Sequence, residues 1–130
     1  MTRIFTDASY CYETGTGTYA YFIYADTVHT GWGTLKNLRN SNDAELHAIY
    51  MALCNLLLIN CDDLYIFWTD SLHGIQMIHR DGKSNNNRYP IVKQITRLLN
   101  GKQYNFNYAP RNSLPELWWC DQKCQQIWKK

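Results

Sequence analysis

The chain has 130 residues, 45% of them hydrophobic, and a net charge of +2. That length suits one domain with a real core and is short for two; no apolar stretch approaches the roughly 20 residues of a membrane helix, and the opening MTRIFTDAS lacks the apolar region of a signal peptide, so a single, soluble, monomeric, cytoplasmic domain over residues 1–130 is expected. Cys11, Cys54, Cys61, Cys120 and Cys124 are odd in number with no CxxC pair, and His29, His47, His73 and His79 show no zinc spacing with them, which points to reduced thiols rather than a disulfide frame and argues against a zinc site.

Residues 3–10 read as a strand, residues 13–17 (Glu-Thr-Gly-Thr-Gly) as a turn, and residues 18–25, rich in Tyr, Phe and Ile, as a second strand. Asp26-Thr27 turns the chain into a third strand over residues 28–36, so the opening is an antiparallel meander. Residues 42–60 give the clearest helix, with Glu45, Ala48, Ile49, Ala52, Leu53 and Leu56 on one stripe. Residues 64–69 are the short continuous apolar run of a strand buried on both faces, and the order strand, helix, strand implies a right-handed crossover. Residues 71–80 look helical and residues 81–87 form a loop by composition; residues 90–100 form a helix begun by Pro90 and stopped by Gly101. Tyr104, Phe106 and Tyr108 alternate with polar residues in a fifth strand over residues 103–109. Ser113-Leu-Pro-Glu116 is a capping-box pattern opening a last helix to about Trp128, with Leu117, Cys120, Cys124, Ile127 and Trp128 on its inner stripe.

Four carboxylates stand where solvated acids are not expected. Asp7 interrupts a strand, a context from which aspartate is depleted. Glu45 shares the core stripe of its helix, although most helical glutamates are surface residues. Asp70 closes an apolar strand, where its ordinary role is to cap the next helix. Asp121 lies at the edge of the last helix's apolar stripe. Each alone has an ordinary structural explanation; four at the ends or inner faces of separate core elements point to a divalent-metal site for cutting a phosphodiester. Hard cations prefer oxygen ligands, and two ions about 4 Å apart can clamp both the attacking water and the leaving oxygen.

The charge is unevenly spread. Residues 1–79 hold three basic and eight acidic groups, whereas residues 80–111 hold seven basic groups (Arg80, Lys83, Arg88, Lys93, Arg97, Lys102, Arg111) and one acidic. The second half therefore offers a basic face to a polyanion, or else a scatter of solvated cations.

Thr6-Asp7-Ala8-Ser9 in the first strand, Asn42-Asp43-Ala44-Glu45-Leu46 with Ala48 and Leu53 in the first helix, Thr69-Asp70-Ser71 after the fourth strand and Cys120-Asp121 with Cys124 in the last helix occur in the order of the ribonuclease HI motifs. Over essentially its whole length the chain resembles ribonuclease HI and its relatives in the RNase H-like superfamily. The resemblance implies an α/β fold, a five-stranded mixed sheet with its first three strands antiparallel, flanked by helices. It also implies a metal-dependent endonuclease cutting the RNA strand of an RNA/DNA hybrid to leave 5′-phosphate and 3′-hydroxyl ends. Asp7, Glu45, Asp70 and Asp121 would be the catalytic carboxylates, holding two Mg²⁺ or Mn²⁺ ions, with Asp7 bridging both. Asn42 matches the position that senses the 2′-hydroxyl, the group by which RNA is told from DNA; its ordinary role is a helix N-cap. Ser9 and Ser71 match positions that contact the substrate backbone. Two departures stand out: Arg111 lies where relatives often carry a loop histidine, suited to phosphate but unable to shuttle protons near neutral pH, and Leu117 replaces an asparagine.

The segment between Asp70 and the fifth strand is short for the basic protrusion by which some relatives grip the hybrid, while Trp118, Trp119 and Trp128 suit either a core or a substrate platform. Two other readings remain: a DNA-acting integrase, transposase or resolvase core, and a noncatalytic hybrid-binding domain of the same fold.

Overall fold

The computed structural model describes residues 1–59, 64–80 and 89–128. The β-branched and aromatic run at the N-terminus forms three antiparallel strands, β1 (Thr2–Cys11), β2 (Thr16–Tyr24) and β3 (Val28–Leu35). The β1–β2 turn closes with Gly15 at φ 67°, where its amide donates to the Cys11 carbonyl at 2.9 Å and only glycine is unstrained. Gly31 in β3 is needed for space instead, since a Cβ there would stand 2.3 Å from the Tyr21 ring on β2.

After α1 (Ser41–Leu58), β4 (Tyr65–Thr69) pairs parallel to β1, and β5 (Tyr104–Tyr108) parallel to β4. The sheet order is β3-β2-β1-β4-β5, so β1 is central and the topology switches between β1 and β4. The remaining helices are α2 (Leu72–Arg80), α3 (Pro90–Leu99) and α4 (Pro115–Trp128). Ile4 of β1 faces a core built with Ile49, Leu53 and Leu56 of α1, whereas the adjacent Phe5 faces Leu117 of α4, as period-two alternation requires of a doubly covered strand. Burying each such aliphatic side chain contributes roughly 1.5–3 kcal/mol. Met77 and Ile78 of α2 and Ile91 and Ile95 of α3 complete the α1 layer, and Cys120 and Cys124 pack with Ala20 under α4.

Among the described residues the five strands, the four helices and the antiparallel opening agree with the expectation from the sequence, and α3 begins at Pro90 as expected, whereas α1 and α4 start elsewhere. α1 begins at Ser41, and its cap is Asn40, whose Oδ1 accepts the Asp43 amide at 2.9 Å. Asn42 is thus inside the first turn and does not cap. The capping box at the last helix does not form: Ser113 donates its amide to Pro110 in a turn (3.0 Å), the helix begins at Pro115, and the Glu116 carboxylate instead accepts from the Tyr24 hydroxyl at 2.9 Å. A tertiary partner has taken the acid the local motif needed. Gly101, at φ 79° just beyond α3, is the expected stop. The four cysteines among the described residues are free thiols. The loop at residues 81–87 and Cys61 lie outside the described residues. No described helix is long and apolar enough to cross a membrane.

Candidate metal centre

The paired stretch of β1 and β4 ends at Phe5↔Trp68, two residues before Asp7 and Asp70. Where parallel strands part at their carboxyl ends, open α/β sheets leave a crevice for ligands. Asp7 enters it from the central strand and Asp70 from just past the end of β4. Glu45 enters from the second turn of α1, whose inner face is pinned to the sheet by Leu46, Ile49 and Leu53. One carboxylate oxygen from each of the three lies within 4.8 Å of the others.

The ordinary role foreseen for Asp70 belongs to its neighbour. Ser71 Oγ accepts the Gly74 amide at 3.1 Å and caps α2, while its own amide donates to Thr69 Oγ1 at 3.1 Å. Asp70 is thereby released toward the crevice, with its Oδ1 buried and given no protein partner. Glu45 Oε1 is likewise buried and unpartnered. Two adjacent buried carboxylate oxygens without donors are costly in a folded chain, and such a set of hard oxygens suits a divalent cation.

The electrostatics carry the same imprint. Asp7 is pushed up from 3.8 to about 8, first by burial, then by the Asp70 charge, with the Ala8 amide opposing and Asp121 adding. Glu45 is raised well above its ordinary value, by burial first and then by the charges of Asp7 and Asp70. Like charges held this close cannot all ionise without a counter-charge.

Asp121 stands outside that triplet. It is buried on α4 and near enough to raise Asp7, but its oxygens are engaged: Arg111 Nη2 donates to Oδ1 at 3.0 Å and Gln125 Nε2 to Oδ2 at 3.1 Å. Arg111, whose side chain is 67% exposed, therefore bridges the rim of the crevice and Asp121. Gln125 was not foreseen, although its place four residues after Asp121 on a helix was a usable signal.

The Ser9 hydroxyl pairs with that of Thr18 across β1 and β2. Asn42 is half-buried in the first turn of α1, with no side-chain hydrogen bond among the described residues. Leu117 is a core residue against Phe5 and Ala109. Cys124, one turn beyond Asp121, donates its thiol to the Asp7 carbonyl at 3.7 Å, and burial pushes it up to about 12, so it is inert packing for the strand that carries Asp7. Of the basic second half, Lys93 and Arg97 are exposed one turn apart on α3, and Lys83 and Arg88 lie outside the described residues.

A family model for RNase H matches residues 1–110. The chain belongs to the RNase H family. Asp7, Glu45, Asp70 and Arg111's neighbour Pro110 fall within the match; Asp121 lies beyond it. The chain is similar to RNase H1 from the halophilic archaeon Halobacterium salinarum NRC-1, at 15% identity and TM-score 0.77, over 98% of this chain and 97% of that one. It is similar to the N-terminal RNase H domain of a Mycobacterium tuberculosis protein, solved as a fusion with maltose binding protein, at 17% and 0.80, over 98% and 93%. It is also similar to LC11-RNase H1 in complex with RNA/DNA hybrid, at 16% and 0.79, over 97% and 95%. At these identities the likeness carries the fold, which is RNase H-like. No curated protein matches the chain.

Proposed function

We propose that this chain is a metal-dependent endoribonuclease that hydrolyses the RNA strand of an RNA/DNA hybrid, leaving 5′-phosphate and 3′-hydroxyl ends. One observation carries the reading: Asp7 of β1, Glu45 of α1 and Asp70 just past β4 present oxygens within 4.8 Å of one another. The unpartnered buried oxygens of Glu45 and Asp70 and the raised affinity of Asp7 and Glu45 for protons fit a site that completes itself with cations. Family membership and the hybrid bound to LC11-RNase H1 favour this substrate.

Asp7, Glu45 and Asp70, with Asp121 on α4 beside them, would hold two divalent ions, Mg²⁺ or Mn²⁺. When bound, the ions supply Lewis acidity and neutralise charge at the scissile phosphate. Asp121 is held in place by hydrogen bonds from Arg111 and Gln125, and Arg111's exposed guanidinium has donors left to bind an adjacent phosphate. Asn42, unbonded at the head of α1, offers an amide to a ribose 2′-hydroxyl. Ser9 and Ser71 flank two of the acids and would steady the substrate backbone.

The test is one labelled sequence prepared as RNA/DNA hybrid, double-stranded RNA and double-stranded DNA, incubated with wild type and Asp7→Asn in Mg²⁺, Mn²⁺ or EDTA. Cutting confined to the hybrid's RNA strand, metal-dependent and lost in the variant, supports the reading. Cutting of DNA would move the chain to the recombinase branch, and binding without cutting would make it a noncatalytic hybrid-binding domain.

A further inference from the structure

A second surface begins beside the acids and is not used by them. Trp118 precedes Asp121 by three residues on α4, so their Cβ atoms are about 5–6 Å apart. The residue is 53% exposed, and its indole makes no ring contact among the described residues. Beside it the aromatic rings run on in contact: Trp119 lies 5.4 Å from Phe22 and 6.0 Å from Trp32, the latter 49% exposed on the edge strand β3. Phe22, Tyr24, Pro115, Glu116, Trp118 and Trp119 line a shallow hollow of about 230 Å³.

Cations cap this strip. Lys123 Nζ sits 4.5 Å above the Trp32 ring and 5.5 Å from that of Trp119, and the Arg3 guanidinium lies 4.5 Å above Tyr24. The acid that lines the hollow, Glu116, accepts a hydrogen bond from the Tyr24 hydroxyl. Exposed indoles with an ammonium group against two of the strip's rings and a guanidinium over the neighbouring phenol ring suit a ligand that alternates flat rings with negative charge, and suit an apolar peptide poorly.

We propose that the strip of Trp118, Trp119 and Trp32, flanked by Lys123 and Arg3, is a stacking platform for single-stranded nucleic acid continuing from a duplex held at the acid cluster. This rests on the ribonuclease reading only for the duplex. Bases stack on the two exposed indoles and phosphates pass Lys123, so the platform favours hybrids that end in a single-stranded extension near the cut.

The experiment measures binding in EDTA, where nothing is cut, by fluorescence anisotropy of the full chain on a blunt RNA/DNA hybrid and on the same hybrid extended by single-stranded RNA or by single-stranded DNA at either end. An extension is expected to tighten binding about tenfold, as one stacked base does. Trp118→Ala should remove most of that gain and leave the blunt hybrid within about twofold of wild type, with Trp118→Phe restoring part of it. Trp32→Ala, monitored by circular dichroism for folding, should add to the loss. The RNA and DNA arms identify which strand the platform takes. No gain from any extension, or a gain that survives Trp118→Ala, overturns the proposal, as does a concentration-dependent dimer in sedimentation that Trp118→Ala abolishes, which would assign the face to a second copy. If blunt hybrid is cut normally and extensions are ignored, this proposal fails alone; if extensions bind and no hybrid is ever cut, the ribonuclease reading fails alone.

Discussion

Replacing Asp7 by asparagine should make the metal-free protein more stable, and only at neutral and alkaline pH. Asp7 is 5% exposed, and its carboxyl, ordinarily near 3.8, is pushed up to about 8 by burial and the Asp70 charge. The folded state therefore holds this proton more tightly than the unfolded chain does. The resulting stability is fully present below about pH 4 and is lost as pH rises through about 8. For one isolated group that span amounts to at most about 6 kcal/mol. Because Asp7, Glu45 and Asp70 share the burden, one substitution should recover about 1–3 kcal/mol of it. Asparagine keeps the shape and never ionises, so at pH 8.5 in EDTA the variant should melt about 3–12 °C above wild type, and at pH 4.5 the two should coincide. Thermal denaturation followed by circular dichroism across that range is the assay. A variant equal to or less stable than wild type at pH 8.5, or a gain that does not change with pH, would refute the argument that repulsion and burial at the cluster cost stability.

Further outcomes follow from the same geometry. Millimolar Mg²⁺ should raise the melting temperature of wild type more at pH 8 than at pH 6, since binding must displace the protons on Asp7 and Glu45, and Asp70→Asn should lose most of the effect; calorimetry in buffers of different ionisation enthalpy would count the protons released. Arg111→Ala removes a donor from buried Asp121, and is expected to cost about 1 kcal/mol of stability and about tenfold in hybrid cleavage, partly restored by Lys. Ser71→Ala deletes the α2 cap beside Asp70 and should cost about 1 kcal/mol in urea denaturation. Gly31→Ala drives a methyl into the Tyr21 ring, and should cost about 1–3 kcal/mol without changing metal affinity.

Much of the centre was visible in the sequence because its acids violate local rules. Aspartate inside a strand and glutamate on an apolar stripe run against local preference, and the fold brings both together with Asp70. Asp70 was ambiguous because cap and ligand look alike at a strand end; only the bond from Gly74 to Ser71 separates them. Tertiary choices were not legible. Asn40, Asn42 and Ser41 are all acceptable starts for α1, and Asn40 also donates to the Tyr89 hydroxyl at 2.9 Å, a contact made 49 residues away. Glu116 was claimed by Tyr24 for the same reason. The pairing of Arg111 with Asp121 spans a turn and a helix start, and no periodicity announces it. Strand order came from the family resemblance, since hydrophobic pattern states which faces are buried and not which strand lies beside which.

The central claim is that the Asp7, Glu45 and Asp70 oxygens form a cation site for cutting RNA. The most direct measurement is the initial rate of RNA-strand cleavage in a labelled RNA/DNA hybrid by wild type and Glu45→Gln, each in Mg²⁺ and in EDTA. Wild type should cut only with metal, and the glutamine variant, which keeps shape and burial but loses the charge, should fall by about a thousandfold or more, roughly 4 kcal/mol of transition-state stabilisation. Cleavage that persists in EDTA, or a glutamine variant as fast as wild type, would contradict it.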